Sequence, residues 1–284
     1  MSLEELTEAP ASTGAWSTLE SSDATALTNG LPITANGRIW ALDGDRDVTV
    51  VSSPDALNWS TNGGLPHRIS AAACAHNGVL YVSGGGGFSA ETNDVFSSTD
   101  GVNWTQRQAP WGPRYGHCMV SYRGALMVFG GRTMQGHFYQ DQWMSTDGVN
   151  WQAQGSAPEY GPINAAAAVV AGRLCAVGGP ASVIQWYDGT RWTTEVLPWA
   201  TPRISPAVAV VDDRLYLVGG QWGQTVYSDM WSCVGRGSWR PETAPPLAKP
   251  LMGLTACELN GGLILFGGSA MDGSRSKNVY RYEP

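Results

Sequence analysis

The phrase Ser-Thr-Asp-Gly-Val-Asn-Trp occurs twice without change, at 98–104 and 145–151. Looser copies end at Trp59, Trp192 and Trp239, so one Trp recurs at 59, 104, 151, 192 and 239, in steps of 45, 47, 41 and 47 residues. A period near this length constrains the chain more than any other feature. Each repeat is one supersecondary unit that can bury its apolar face only against its neighbours.

A second landmark runs in phase with the first. An apolar stretch ends in a glycine pair in LYVSGG, LMVFGG, LCAVGG, LYLVGG and LILFGG, with a degenerate copy, IWALDG, at 39–44. Six residues before each landmark stands a turn residue: Gly37, Gly78, Gly124, Gly172, Asp213 and Gly261. Gly37, Gly78 and Gly261 follow Asn, and Asn-Gly between apolar segments is a strong hairpin signal because both central positions need φ > 0. Each repeat therefore opens with a hairpin. A polar loop follows the glycine pair, then a strand such as NDVFSS, a turn, and a last strand bearing the repeat Trp. Four strands in about 45 residues predict a propeller blade.

Six glycine landmarks predict an all-β, six-bladed propeller over 14–284, with 1–13 as an N-terminal tail. The sixth blade ends at Pro284 without an outer strand, while Trp16 lies 43 residues before Trp59. The segment around Trp16 is expected to supply that strand, pairing the two ends of the chain and covering exposed sheet edges. The glycine pairs, the blade-internal Trp and the strand phrasing resemble the Kelch family of β-propellers over essentially the whole chain from about residue 14. Asp43-Gly44 replaces the glycine pair in the first blade, and the loop after the fourth pair is short.

Composition removes several function classes. With 17 Lys+Arg against 24 Asp+Glu and no basic cluster, the chain lacks the phosphate-neutralising surface of a nucleic-acid binder. Its longest apolar run, Ala165 to Ala171, is far below the roughly 20 residues of a membrane span. The N-terminus has no apolar secretory core, which leans localisation to the cytoplasm. Five cysteines without CxxC spacing read as reduced core residues. The four His show no HxH or HxxxH pattern, so neither a metal nor any other cofactor is expected.

In four-stranded antiparallel blades, the loops joining successive blades and those joining the second and third strands share one face, where variable residues and function concentrate. Sixteen residues before the landmark glycine stand Arg68, Arg114 and Arg203, expected to ring the channel mouth, with Lys249 nearby. Clustered guanidinium groups suit a carboxylate, phosphate or sulfate. The competing reading pairs each Arg with an acidic residue of a neighbouring loop or with exposed carbonyls between blades. Of 13 Trp, ten fit strand positions, leaving Trp111, Trp199 and Trp222 in loops of this face, with Tyr115, Tyr160, Phe138 and Tyr139. Acid–base candidates there are Tyr115, His117, His137 and Glu159, together with Asp45, Asp47 and Glu91; His117, three residues past Arg114 in an extended strand, should face away from it.

Two functions fit. One is a stand-alone binder of a small anionic, sugar-like or aromatic ligand at the channel mouth, with metal-independent acid–base isomerisation or cyclisation as its chemistry. The Kelch resemblance implies this through sialic-acid mutarotases, where arginines at the mouth hold a carboxylate. The alternative is a protein-interaction module that presents the same face to an acidic peptide. Oligomeric state is not legible.

Overall fold

The computed structural model describes residues 14–19, 30–43, 48–86, 90–157 and 164–284. It contains six four-stranded antiparallel sheets and no helix among these residues. Each of the first five blades runs outward in chain order. The second, for example, is Ala72–His76, Val79–Ser83, Asp94–Ser98 and Thr105–Gln108. The inner hairpins turn where the sequence places them: Asn36-Gly37, Asn77-Gly78 and Asn260-Gly261 all have positive φ.

The sixth blade closes the ring. Its strands Met252–Leu259, Gly262–Ser269 and Val279–Glu283 are completed on the outside by Ala15–Leu19. Trp16 sits opposite Tyr282 in the ladder, their rings 5.0 Å apart, and its indole N–H donates to the Thr243 carbonyl at 2.8 Å.

Six apolar clusters fill the six blade–blade interfaces, and each contains one repeat Trp: Trp16, Trp59, Trp104, Trp151, Trp192 and Trp239. Each of these rings is a wedge against the preceding blade. Trp192 of the fourth blade lies 5.1 Å from Phe129 of the third and donates to Gln142 Oε1 there at 2.9 Å. Trp suits the position because one side chain offers a large apolar body and a donor at its tip.

The turns before the outer strands share one design. Asp100 Oδ1 accepts from the backbone N–H of Val102 and Asn103, Ser98 Oγ donates to the same oxygen, and Asn103 Nδ2 donates to Oδ2. Asp55 and Asp147 repeat the pattern with Ser53/Asn58 and Ser145/Asn150. These donors, the Asn58 N–H foremost, pull the Asp55 carboxyl down to about 2. Gly101 within its turn has φ +71°, and a Cβ there would lie 2.1 Å from the Trp40 ring of the first blade. The turn can lean on that ring only as glycine.

Candidate functional site

The innermost strands surround a central channel of about 740 Å³ whose lining reaches the loop face at Ser70, Gly116 and Ser205. Its wall carries small side chains, among them Ala72, Ala166 and Ala209. Each innermost strand is also the free edge of its sheet, so unpaired backbone donors and acceptors face the bore.

The mouth is a ring of residues in the left-handed region: Ser70 (φ 51°), Gly116 (65°), Asn164 (49°), Ser205 (50°) and Gly253 (63°). All five line the channel. The first four are joined across blades by backbone bonds, Gly116 N–H donating to Ser70 O at 2.7 Å, Asn164 to Gly116 O at 3.0 Å, and Ser205 to Asn164 O at 2.8 Å. Each ring residue stands fourteen positions before its landmark glycine. The first-blade counterpart, Asn29, lies outside the described residues.

The three predicted arginines do not project freely into this mouth. Arg114 is fully buried; Nη1 donates to Gly130 O (3.0 Å) and Asp141 Oδ1 (2.6 Å), and Nη2 to Asp141 Oδ2 (2.7 Å). Arg68 binds Gly84 O and Asp94 in the same way, and Arg203 binds Gly219 O and Asp229. Each arginine thus ties the start of its blade's first strand to the end of the second and the start of the third. The ring of available cations expected from the sequence is corrected by this pairing, because bidentate charge-assisted bonds already use each guanidinium fork. The partner is an Asp of the same blade, not of a neighbouring loop. Burial raises the Asp141 carboxyl, but bonds from Arg114 and Trp143 more than offset it and hold the group below its ordinary range; Asp229 behaves alike through Arg203 and Trp231.

Two of the three loop tryptophans belong to these clips. Trp111, 2% exposed, packs on Trp143 and Trp151 at 5.9 and 4.7 Å. Trp199 packs on Trp231 and Trp239 at 5.1 and 5.2 Å. The Arg114 guanidinium stacks on Tyr139 at 4.0 Å, and that of Arg203 lies over Tyr227 at 4.2 Å and Trp199 at 4.9 Å. The expectation that Trp111 and Trp199 form a ligand belt is therefore corrected: both are packing residues. Trp222 is different, standing 40% exposed at the tip of a small hairpin, Gln221–Trp222 with Thr225–Val226.

His117 is buried and bonded at Nε2 to Ser83 Oγ of the preceding blade, 2.8 Å away. Burial, reinforced by the Arg114 charge, pulls its pKa down to about 3, so it is neutral at pH 7 and a poor proton acceptor. Tyr115 is half-buried beneath the Arg132 guanidinium at 5.1 Å. His137 is exposed and meets Tyr139 edge-on at 5.0 Å. Glu91 faces the Met134 N–H, and Lys249 pairs with Asp272 at 2.5 Å. Glu159, Tyr160, Asp45 and Asp47 lie outside the described residues.

Known structures share this architecture. The chain is similar in fold to YjhT. The solved "Structure of YjhT" superposes with a TM-score of 0.76 over 90% of this chain and 94% of that one, at 16% identity. No protein-family model matches the chain, and no curated protein sequence matches it.

Sequence reasoning missed two elements of the mouth. One is Arg132, half-buried against Tyr115, with no ion pair among the described residues. The other is the left-handed ring. Its signal is a triplet at constant offset, Arg-Ile-Ser, Arg-Tyr-Gly, Pro-Ile-Asn, Arg-Ile-Ser and Leu-Met-Gly at 68–70, 114–116, 162–164, 203–205 and 251–253.

Proposed function

We propose that this chain is a stand-alone propeller of the Kelch-like kind that binds a small molecule at the mouth of its central channel. The observation that carries this reading is the channel itself. A bore of about 740 Å³ lies within the 300–1,000 Å³ typical of ligand sites, and its lining reaches the face where variable loops converge. The fold similarity to YjhT and the Kelch resemblance to sialic-acid mutarotases favour a sugar-related ligand. Acid–base isomerisation on such a ligand would fall to Tyr115, His137 and Glu159, since His117 is committed to Ser83.

Ala166 lines the channel and is only partly buried, so Ala166→Phe fills the bore. A thermal-shift screen of neutral sugars, sugar acids and alkyl glycosides should give hits that stabilise wild type and not Ala166→Phe. Hits that stabilise both proteins equally would place binding elsewhere and overturn the reading.

A second reading has its own support. Ile69, Met134, Phe138, Trp222 and Met271 are all exposed apolar residues in loops of the mouth face, the composition of a protein-binding rim. In that case an acidic peptide would bind Ala166→Phe as tightly as wild type and lose affinity in Phe138→Ala and Trp222→Ala.

A further inference from the structure

The left-handed ring is held by backbone bonds, and at such positions glycine costs least. Gly116 and Gly253 show that the ring accepts it. Ser70, Asn164 and Ser205 instead keep a side chain at φ 49–51°, a conformation that disfavours a Cβ and persists where surrounding structure or function maintains it. All three residues line the channel, and their side-chain hydroxyl and amide groups make no hydrogen bond among the described residues. At the same offset the six repeats read Asn29, Ser70, Gly116, Asn164, Ser205 and Gly253, so the sequence repeats as two matching halves. Ser70 and Ser205 stand in the second and fifth blades, on opposite sides of the bore.

Among the described residues that line the channel, charge is paired, neutral or remote from the ring. Arg68, the one arginine among the described residues that line the channel, is paired with Asp94 at 2.8 Å. His117 is neutral, and burial pushes the Cys118 thiol up to about 12. Glu258 lies at the far end of its strand, next to the turn. Arg132, which has no ion pair among the described residues, does not line the channel and lies over the Tyr115 ring at 5.1 Å; the whole chain has a net charge of −7, which disfavours an anion in the bore. Hydroxyls, an amide and free strand edges supply donors and acceptors of neutral character.

We propose that the Ser70–Asn164–Ser205 collar is a ligand-reading element for an uncharged, polyhydroxylated molecule, a neutral sugar or glycoside, whose apolar part enters the alanine-walled channel. This rests on the channel-mouth reading above and replaces the anionic ligand expected from the sequence.

The test uses n-octyl β-D-glucopyranoside below its micellar concentration and octanoate, an anion with an apolar chain of similar length, titrated calorimetrically. Wild type should bind the glucoside at least about tenfold more tightly than octanoate. Ser70→Gly/Ser205→Gly should lose about tenfold or more of that affinity, the worth of two hydrogen bonds, while its melting temperature stays equal or rises. Ala166→Phe should abolish binding. Unchanged affinity in the double-glycine variant, with binding still lost in Ala166→Phe, overturns the collar and leaves the channel-mouth function standing. Octanoate binding as tightly as the glucoside overturns the neutral class, as does no glucoside binding to wild type. Full binding in Ala166→Phe overturns the channel-mouth function itself.

Discussion

The two ends of the propeller repeat the same backbone and treat their side chains in opposite ways. At the tight-turn end, Asp55, Asp100 and Asp147 accept matching bonds from Asn58, Asn103 and Asn150. At the channel mouth the backbone ring is equally regular, but its residues vary among Ser, Gly and Asn. Repetition of both backbone and side chain builds architecture. At the mouth, Ser70, Asn164 and Ser205 keep polar side chains beside the bore where glycine would be easier, and on the proposed function these are the groups that meet the ligand.

That contrast can be broken most severely at the closure. Removing 14–19 takes away the outer strand of the sixth blade and the partly buried Trp16 wedge, whose packing alone is worth about 2 kcal/mol. Circular dichroism should show a loss of cooperative unfolding, and a truncated protein melting like wild type would mean the ring closes without this strand. At the tight-turn end, Gly101→Val meets both φ +71° and the Trp40 ring and should cost more than about 4 kcal/mol in urea unfolding. At the mouth, glycine substitutions should cost nothing in stability, so the same experiment separates the two ends.

A smaller effect comes from His117. Its unfolded form takes up a proton near 6.5, whereas the folded form does so only near 3. Between these values acid favours the unfolded chain, because that state binds the extra proton. Wild type should therefore lose about 2 kcal/mol between pH 7 and pH 4.5, and His117→Gln should lose much less. Equal losses would place the acid-sensitive group elsewhere. The smallest effect belongs to the rim: Trp222→Ala should change unfolding free energy by less than about 0.5 kcal/mol, and a large loss would make Trp222 a packing residue like Trp111.

Blade number, the inner hairpins and the closing strand were legible in the sequence because each rests on a local rule repeated in phase. The Asn-Gly turns need positive φ, and the repeat Trp needs a neighbour to wedge against. The site was less legible because one residue type serves two ends. Arg and Trp in loops look like a ligand belt, yet Trp111, Arg114 and Tyr139 form a stacked clip inside one blade. The acid that neutralises Arg114 stands 27 residues away, at an offset meaningful only once the strands are laid side by side. Ser70, Asn164 and Ser205 are ordinary loop residues one at a time. Only their shared offset and shared backbone conformation single them out.

Arg68, Arg114 and Arg203 each tie together the strands of one blade and, on the proposed function, leave the ligand to the ring between them. Urea unfolding of Arg114→Ala tests this most directly. Loss of Arg114 removes a fully buried side chain and leaves Asp141, 34% exposed, without its cation, a change worth about 2–3 kcal/mol once solvent screening of the carboxylate is discounted, so the midpoint should fall. A variant as stable as wild type would show that the guanidinium is not structural, and would return Arg114 to the ligand.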